Sequence, residues 1–592
     1  MYNNQNRPYR HPSSSYDEER ARKRRERRTS SSRNKSFFAG MDRIKLVMVI
    51  FAAAALVLVG KIFIIQIIKA PELLEEAAKY RVNSIVLHGK RGTIYDRNGN
   101  VLAMSAECQT IYCNPKEIKD PSSYATIMAA DLGGSANDYM KALTADTTFS
   151  YVKKKVDEDK AKKLKSDLYQ ARLEGVYYLS DTKRVYPYGS CAGQVLGMVG
   201  QDGDGLTGLE LQYNDILHGK DGTLEIERGR DGTPIAGGVH EEHEAENGTD
   251  IVVSLDVNIQ QLAEERIAEA TGEFDADSGS VMVMEPKTGE VLAVCSTPLA
   301  NLQKPHTITN EALKVRPISD SYEPGSIFKV LTMAIGIDNQ VISPSTTFEV
   351  PTTIKVGSDW VKDDDGRPQG MEMSATEILR RSSNVGAVMV GESIGASKFS
   401  QGVEKFGIGT KTGIDFPGES QGLVTPLDKY TGATLGSMSF GQGVAVPVDQ
   451  MVRAIGTIAN DGKMVTPHFL VAKGSQTVSW PDAQQVISAD TAHKVRDMMR
   501  VVVQEGTAKK AQVEHFDIAG KTGTGEQASE DGGYAANKFT SSLIGFANAD
   551  NPELIVYVGL NGTPYLACSS SAPTFSAIMR ESLIDMDVRP VS

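Results

Sequence analysis

Twenty-three consecutive residues, Leu46 to Ile68, carry only two polar side chains, Lys61 and Gln66. As a helix rising 1.5 Å per residue they reach roughly 35 Å, enough to cross a hydrocarbon core of about 30 Å. The stretch therefore predicts a membrane span, with Lys61 able to snorkel towards the headgroups. Residues 1–43 hold twelve Lys/Arg against five acidic residues, although the whole chain has a formal net charge of −12. Basic density before the span and little after it puts the N-terminus in the cytoplasm and everything past residue 69 outside. The long n-region and the lack of a small-x-small site favour an uncleaved anchor over a signal peptide. Beside a span, orientation and anionic-lipid contact explain the run RARKRRERR more simply than nucleic acid does. The Ser-, Asn- and Arg-rich tail is expected to be disordered.

A chain of 592 residues with 40% apolar content is expected to fold into three or so domains. Five cysteines are few and odd in number for an exported protein, so no disulfide framework is expected, and there is no CxxC or zinc spacing. RGTIYDRNGNVLAMS reads as two strands joined at Asn98-Gly99, and residues 116–182, which mix short amphipathic helices with Lys/Asp-rich surface, read as an inserted lobe. The segment VHEEHEAENG, Val239 to Gly248, reads as a linker between two large domains. His240 and His243 fall there in an expected loop, without the HExxH pattern of a metal site. DDDG at 363–366 lacks the ligand spacing of a calcium loop and reads as a surface turn. From Thr249 onward, strand patterns at both ends enclose a helical middle, the order of an α+β domain with an antiparallel sheet built from its two ends.

Lys-Thr-Gly occurs three times. Lys287 to Gly289 lies between two alternating apolar runs and reads as a hairpin turn; Lys411 to Gly413 lies in a Gly/Pro loop. Lys521-Thr522-Gly523-Thr524 continues a strand and opens into the Gly-rich loop GEQASEDGGY. A cation and hydroxyls on such a strand can hold a carboxylate and extend the sheet edge with substrate backbone.

Two further segments give this third copy a context. In EPGSIFKVLTMAIGI, Ser326 stands at the mouth of a helix that is apolar nearly all round, and Lys329 follows one turn later on the same face. A desolvated lysine favours its neutral form and can take the proton of the Ser326 hydroxyl. In MSATEILRRSSNVGAVMVGESIG, Ser374 and Glu377 form a capping box, a second helix starts near Val385, and Ser382, Ser383 and Asn384 fall between the helices. SxxK, SxN 56 residues later, and KTG 139 residues after that form the ordered signature of serine acyltransferases that react with penicillin.

With these motifs, RGTIYDRNGNVLA, SLDVNIQQLAE, FGIGTKTGIDFPGE and SFGQGVAVPVDQMVRAIGTIANDGKMVTP resemble segments of the class B penicillin-binding proteins, monofunctional peptidoglycan D,D-transpeptidases of the cell-division or spore-cortex type. The resemblance implies a tail at 1–43, an anchor at 44–69, a mixed α/β pedestal of dimerisation type at 70–248, and at 249–592 an α+β transpeptidase domain with a five-stranded antiparallel sheet. It implies no cofactor and no metal. By the same resemblance Ser326 attacks the penultimate D-alanine carbonyl of a stem pentapeptide, Lys329 is the base, and Ser382 relays a proton to the departing D-alanine with Lys521 tuning the network. Asn384 would hold the donor amide, and Thr522, Gly523 and Thr524 would bind its carboxylate end. The backbone amides of Ser326 and Thr524 would form the oxyanion hole. Implied partners are D-Ala-D-Ala stem peptides, β-lactams as inhibitors, and a polytopic glycan polymerase. A β-lactam sensor would need a signalling module that 43 tail residues do not supply, a β-lactamase needs no pedestal, and a scaffold with a vestigial site would not keep every motif side chain.

Overall fold

The computed structural model describes residues 42–73, 82–227, 240–363, 365–528 and 534–590. The basic tail up to residue 41, most of the helix expected after the span, and part of the loop following Gly525 lie outside the described residues. Contacts divide the chain into two compact units, Met1–Ile85 with Leu224–Glu242, and Val86–Thr223 with His243–Ser592.

In the first unit, helix α1 (Arg43–Phe63) continues through a π-turn at Ile64–Ile68. Together they form a helix of 26 residues with a mean hydropathy of 2.7 and no buried position. That length and composition suffice to cross a membrane. Strands β1 (Val82–Leu87), β6 (Gly222–Glu227) and β7 (His240–His243) form a three-stranded sheet in that order. His240 and His243 thus lie on a strand, not in the loop expected from their acidic, turn-rich surroundings. No group of metal-ligating side chains occurs among the described residues.

The second unit begins with β2 (Ile94–Tyr95) and β3 (Val101–Cys113). The turn between them is held by Asp96, whose carboxylate accepts the amides of Asn98 and Asn100 at 2.9 and 2.8 Å, with Gly99 at φ +83°. Strands β4 (Ser150–Asp157) and β5 (Val176–Val185) both pair antiparallel with β3. Within the inserted lobe expected at 116–182 they add strands to the short helices read from the sequence, since lysines on the exposed face of β4 hide the alternation. Only α2 (Pro121–Leu132), Ala136–Leu143 and α3 (Glu158–Gln170) are helical there. Ile111 and Cys113 of β3 pack with Tyr124, Met128 and Leu164 of the helices in a core of their own. Nearby, Glu210 is fully buried between Arg91 and Arg184, each donating from Nε at 2.6 Å.

Strand β8 (Ile251–Val253) pairs in parallel with β2, joining the later part of the chain to this sheet. Helix α4 (Val257–Glu273) starts at Asp256, whose side chain accepts the amides of Asn258 and Ile259. Strands β9 (Ser278–Met284) and β10 (Val291–Ser296) meet at the Lys287-Thr288-Gly289 turn, with Gly289 at φ +89° as its hairpin role requires. In chain order there follow α5 (Lys329–Asp338), the hairpin β11 (Thr353–Val356) and β12 (Asp359–Lys362), α6 (Ala375–Arg381) and α7 (Asn384–Ile394). Strand β13 (Leu470–Lys473) joins the first sheet beside β8. Then come α8 (Ala489–Glu505), β14 (Ile518–Ala528), β15 (Tyr534–Ala547), β16 (Ile555–Thr563) and α9 (Ser571–Asp585). The order β10-β9-β16-β15-β14 makes a five-stranded antiparallel sheet from the two ends of the domain, as the patterns predict. One edge of it is β14, which carries the third Lys-Thr-Gly.

All five cysteines are free; Cys108, Cys113, Cys191 and Cys295 are buried and Cys568 is exposed. Asp363 is half-buried with its side chain only 5% accessible, so the surface turn expected for DDDG is corrected at its first residue.

Candidate active site

Ser326 sits in a 3₁₀ turn, Gly325–Phe328, that runs without a break into α5. Gly325, at φ +53°, opens the turn, and its amide donates to the Gly441 carbonyl at 3.2 Å. Helix α5 is buried from Lys329 to Ile337, so Lys329 loses all contact with solvent while Ser326 keeps part of its surface. Edge strand β14 runs close against this turn. A Cβ on Gly523 would lie 2.8 Å from the Pro324 carbonyl oxygen and 2.9 Å from Ile327 Cγ1, so the approach needs glycine.

Between α6 and α7 the chain turns at Ser382, a non-glycine residue held at φ +61° and ψ +36°. Such a conformation costs about 1–3 kcal/mol and aims the hydroxyl where a helical residue could not. Lys521 Nζ donates to Ser382 Oγ at 3.0 Å and to the Thr522 carbonyl at 2.8 Å. Lys329 Nζ donates to the same Oγ at 3.3 Å, to the Ser382 carbonyl at 2.5 Å and to Asn384 Oδ1 at 2.6 Å. One hydroxyl thus links two buried amines from sequence positions 192 residues apart. Burial, and then the like charge of Lys329, hold the Lys521 ammonium well below the usual lysine range. Two ammoniums around one hydroxyl repel, so the arrangement favours a neutral amine able to accept a proton.

Thr522 is buried and its hydroxyl meets that of Thr507 at 2.7 Å, while Thr524 is exposed on the strand edge. Hydrogen bonds therefore bring Lys329, Ser382, Asn384 and Lys521 together, and the Ser326 turn packs against the stretch from Lys521 to Thr524. Lys287 and Lys411 stay out of it: Lys287 donates to Asn551 Oδ1, and Lys411 lies in an irregular segment. Sequence reasoning missed Thr507, which sits between a helix end and a short turn and belongs to no motif. It also missed Asp363, which anchors the turn after Ser382 and whose neighbours Asp364 and Asp365 made it look like ordinary surface acid.

A serine at the mouth of a buried lysine helix, a hydroxyl shared by two amines and an open strand edge define a serine acyltransferase. Residues 279–580 match the profile described as the penicillin binding protein transpeptidase domain, and residues 86–253 match that of the penicillin-binding protein dimerisation domain. The chain is 31% identical over 544 residues to stage V sporulation protein D of Bacillus subtilis (strain 168), spanning 89% of this chain and 83% of that protein. It is 31% identical over 556 residues to the probable peptidoglycan D,D-transpeptidase PenA of Neisseria meningitidis serogroup A, covering 93% of each. The crystal structure of penicillin binding protein 3 from Mycobacterium tuberculosis, complexed with aztreonam, superposes with a TM-score of 0.68 at 28% identity, over 86% of this chain and 98% of that one. The chain belongs to the class B penicillin-binding proteins, and its enzymatic domain is a transpeptidase.

Proposed function

We propose that this chain cross-links peptidoglycan stem peptides as a serine D,D-transpeptidase, through an acyl-enzyme on Ser326, in septal or sporulation wall synthesis. The single observation that carries the reading is the Ser382 hydroxyl held at 3.0 and 3.3 Å by the two buried amines beside the Ser326 turn. A donor ending in D-Ala-D-Ala adds along the open edge of β14, its carboxylate on the Thr522 and Thr524 hydroxyls and its amide on Asn384. Lys329 acts as the base that takes the Ser326 proton as Oγ attacks the penultimate alanine carbonyl, and the amides of Ser326 and Thr524 stabilise the oxyanion. The tetrahedral intermediate collapses with cleavage of the peptide C–N bond. Ser382, between Lys329 and Lys521, passes the proton to the leaving D-alanine nitrogen, and an ester remains on Ser326. A neighbouring stem amine then breaks that ester, and its proton returns to Ser326 through the same groups. β-Lactams enter the first half of the cycle and stall before the second.

In this reading residues 1–43 form the tail, 44–69 the anchor, 70–248 the pedestal and 249–592 the transpeptidase domain. The N-terminus lies in the cytoplasm and the catalytic domain outside it. The apolar helix and the pedestal offer surfaces for a polytopic glycan polymerase. The likeness to a sporulation protein supports a place in septal or spore-wall synthesis.

The test is intact mass of the detergent-solubilised full chain with a fluorescent penicillin. One stable adduct is expected on the wild type, none on Ser326→Ala, and an adduct formed at least ~100-fold more slowly on Lys521→Ala. An adduct that persists on Ser326→Ala refutes the nucleophile assignment, and a rapidly hydrolysed one refutes the transferase in favour of a lactamase.

A further inference from the structure

The Ser382 turn is strained, and strain at a functional residue persists only where its surroundings hold it. Ser382 itself caps α6, its amide donating to the Leu379 carbonyl at 3.1 Å and the Ser383 amide to the Ile378 carbonyl at 2.9 Å, and the segment that follows it is held from the end of the β11–β12 hairpin. Asp363, directly after β12, uses both carboxylate oxygens on the segment that follows Ser382. Oδ1 accepts the amides of Asn384 and Val385 at 2.6 and 3.0 Å, and Oδ2 accepts the Ser383 hydroxyl at 2.6 Å. Arg367 Nη1 donates to the same Oδ2 at 2.7 Å, while its Nη2 donates to the Pro351 carbonyl at 2.6 Å, tying the carboxylate back to the start of the hairpin. Ser383 Oγ in turn accepts the Gly386 amide at 2.9 Å. The free N–H groups of the first turn of α7 are thus satisfied by one carboxylate and the cap it orients, in the charge-assisted form that is shortest and strongest.

The hairpin also grips α7 by packing. Val356 of β11 is buried with Ala387 and Val388 of α7 and with Phe440, and Ile354 and Val361 close over them. The Lys362 carbonyl receives Asn384 Nδ2 at 3.3 Å, on the opposite side of the amide from Lys329.

We infer that Asp363 is a positioning residue of the transpeptidase reaction: it fixes the start of α7 so that Ser382 stays on both lysines and Asn384 on Lys329. It touches neither substrate nor the reacting atoms and acts through the backbone of residues 383–385. The inference rests on the roles proposed above for Ser382 and Asn384. Because a displacement of about 1 Å in such a site can cost on the order of a hundredfold in rate, a capping residue here governs chemistry as well as stability.

The test measures, on the full-length protein, the stoichiometry of penicillin acylation, the dissociation constant of the complex before acylation, and the acylation rate constant. Asp363→Ala is expected to retain about one adduct per chain and a dissociation constant within about threefold of wild type, with the rate constant lowered at least tenfold. Asp363→Asn keeps one acceptor oxygen for the two amides and is expected to fall between Ala and wild type. Asn384→Ala combined with Asp363→Ala is expected to lose less than the product of the single losses, since one residue acts through the other. A purely structural role predicts fewer reactive chains at an unchanged rate constant; that result, wild-type rates in both Asp363 variants, or multiplicative losses would overturn the inference. Failure of the proposed function itself reads differently: the wild type would form no adduct, or Ser326→Ala would form one.

Discussion

In the proposed mechanism Ser382 concentrates the conflict between stability and activity in one residue. Its positive φ is unfavourable for any side chain with a Cβ, yet it brings Oγ to both lysines. Ser382→Gly removes the strain and the hydroxyl together. The variant is expected to melt no lower than the wild type, while acylation falls by at least about a hundredfold. Thermal melting beside penicillin labelling checks both halves, and a lower melting point would refute the strain argument. Gly523 presents the opposite case. A Cβ there would come within 2.5 Å of Ser542 Oγ and 2.8 Å of the Pro324 carbonyl, forcing β14 away from the Ser326 turn. Gly523→Ala is expected to cost about 1–3 kcal/mol and most of the acylation rate; unchanged urea unfolding would argue that the strand adjusts freely.

At the scale of elements, helix α4 carries a built-in pH dependence. Glu264 accepts the Ala192 amide at 2.8 Å and the Gln260 side-chain amide at 2.8 Å, and burial pushes its carboxyl up to about 7. A carboxyl raised on folding favours the folded state fully below its unfolded value near 4.5, and that contribution is lost as pH rises through about 7. Unfolding free energy should therefore decline between pH 5 and 8 by an amount on the order of 1–3 kcal/mol from this group. Glu264→Gln should flatten the decline, which denaturant titrations at the two pH values would register; an equal slope in both proteins would assign it elsewhere. Elements also mark how far the sequence could be read. The five-stranded sheet, the buried α5 and the two helices around Ser382 were legible because apolar periodicity and the Ser374 cap are local signals. Strands β4 and β5 were not, because their partner β3 is distant in sequence and lysines occupy the outer face of β4. Ser326, Lys329, Ser382 and Lys521 were legible as residue types at ordered spacings. Asp363 was not, since only the closure of the hairpin onto α7 tells it from the acids beside it.

At the scale of the whole molecule, Val86–Thr223 and His243–Ser592 form one compact unit, and the chain's two tryptophans, Trp360 and Trp480, both lie in the second segment. Glu210, in the first, is the sole carboxylate that Arg91 and Arg184 share by ion pairing among the described residues. Glu210→Ala strands two buried guanidiniums and should cost about 3–5 kcal/mol. If the unit unfolds cooperatively, tryptophan fluorescence will report that loss although both indoles lie 150 residues or more further along the chain. An unchanged tryptophan midpoint preceded by a separate circular-dichroism phase would instead mean that the segments unfold independently.

The distribution of thiols makes that question measurable without any substitution. Burial pushes the Cys108 and Cys113 thiols up to about 11 and raises those of Cys191 and Cys295 as well, leaving exposed Cys568 as the ready nucleophile. An alkylating reagent should tag the native protein once, at a site remote in sequence from the motifs, giving a handle for a fluorophore or a surface. The remaining four sulfurs then act as clocks: two time the opening of the lobe around β3, and two time the opening of the main core. The order in which those masses appear will give the sequence of unfolding events within a single sample.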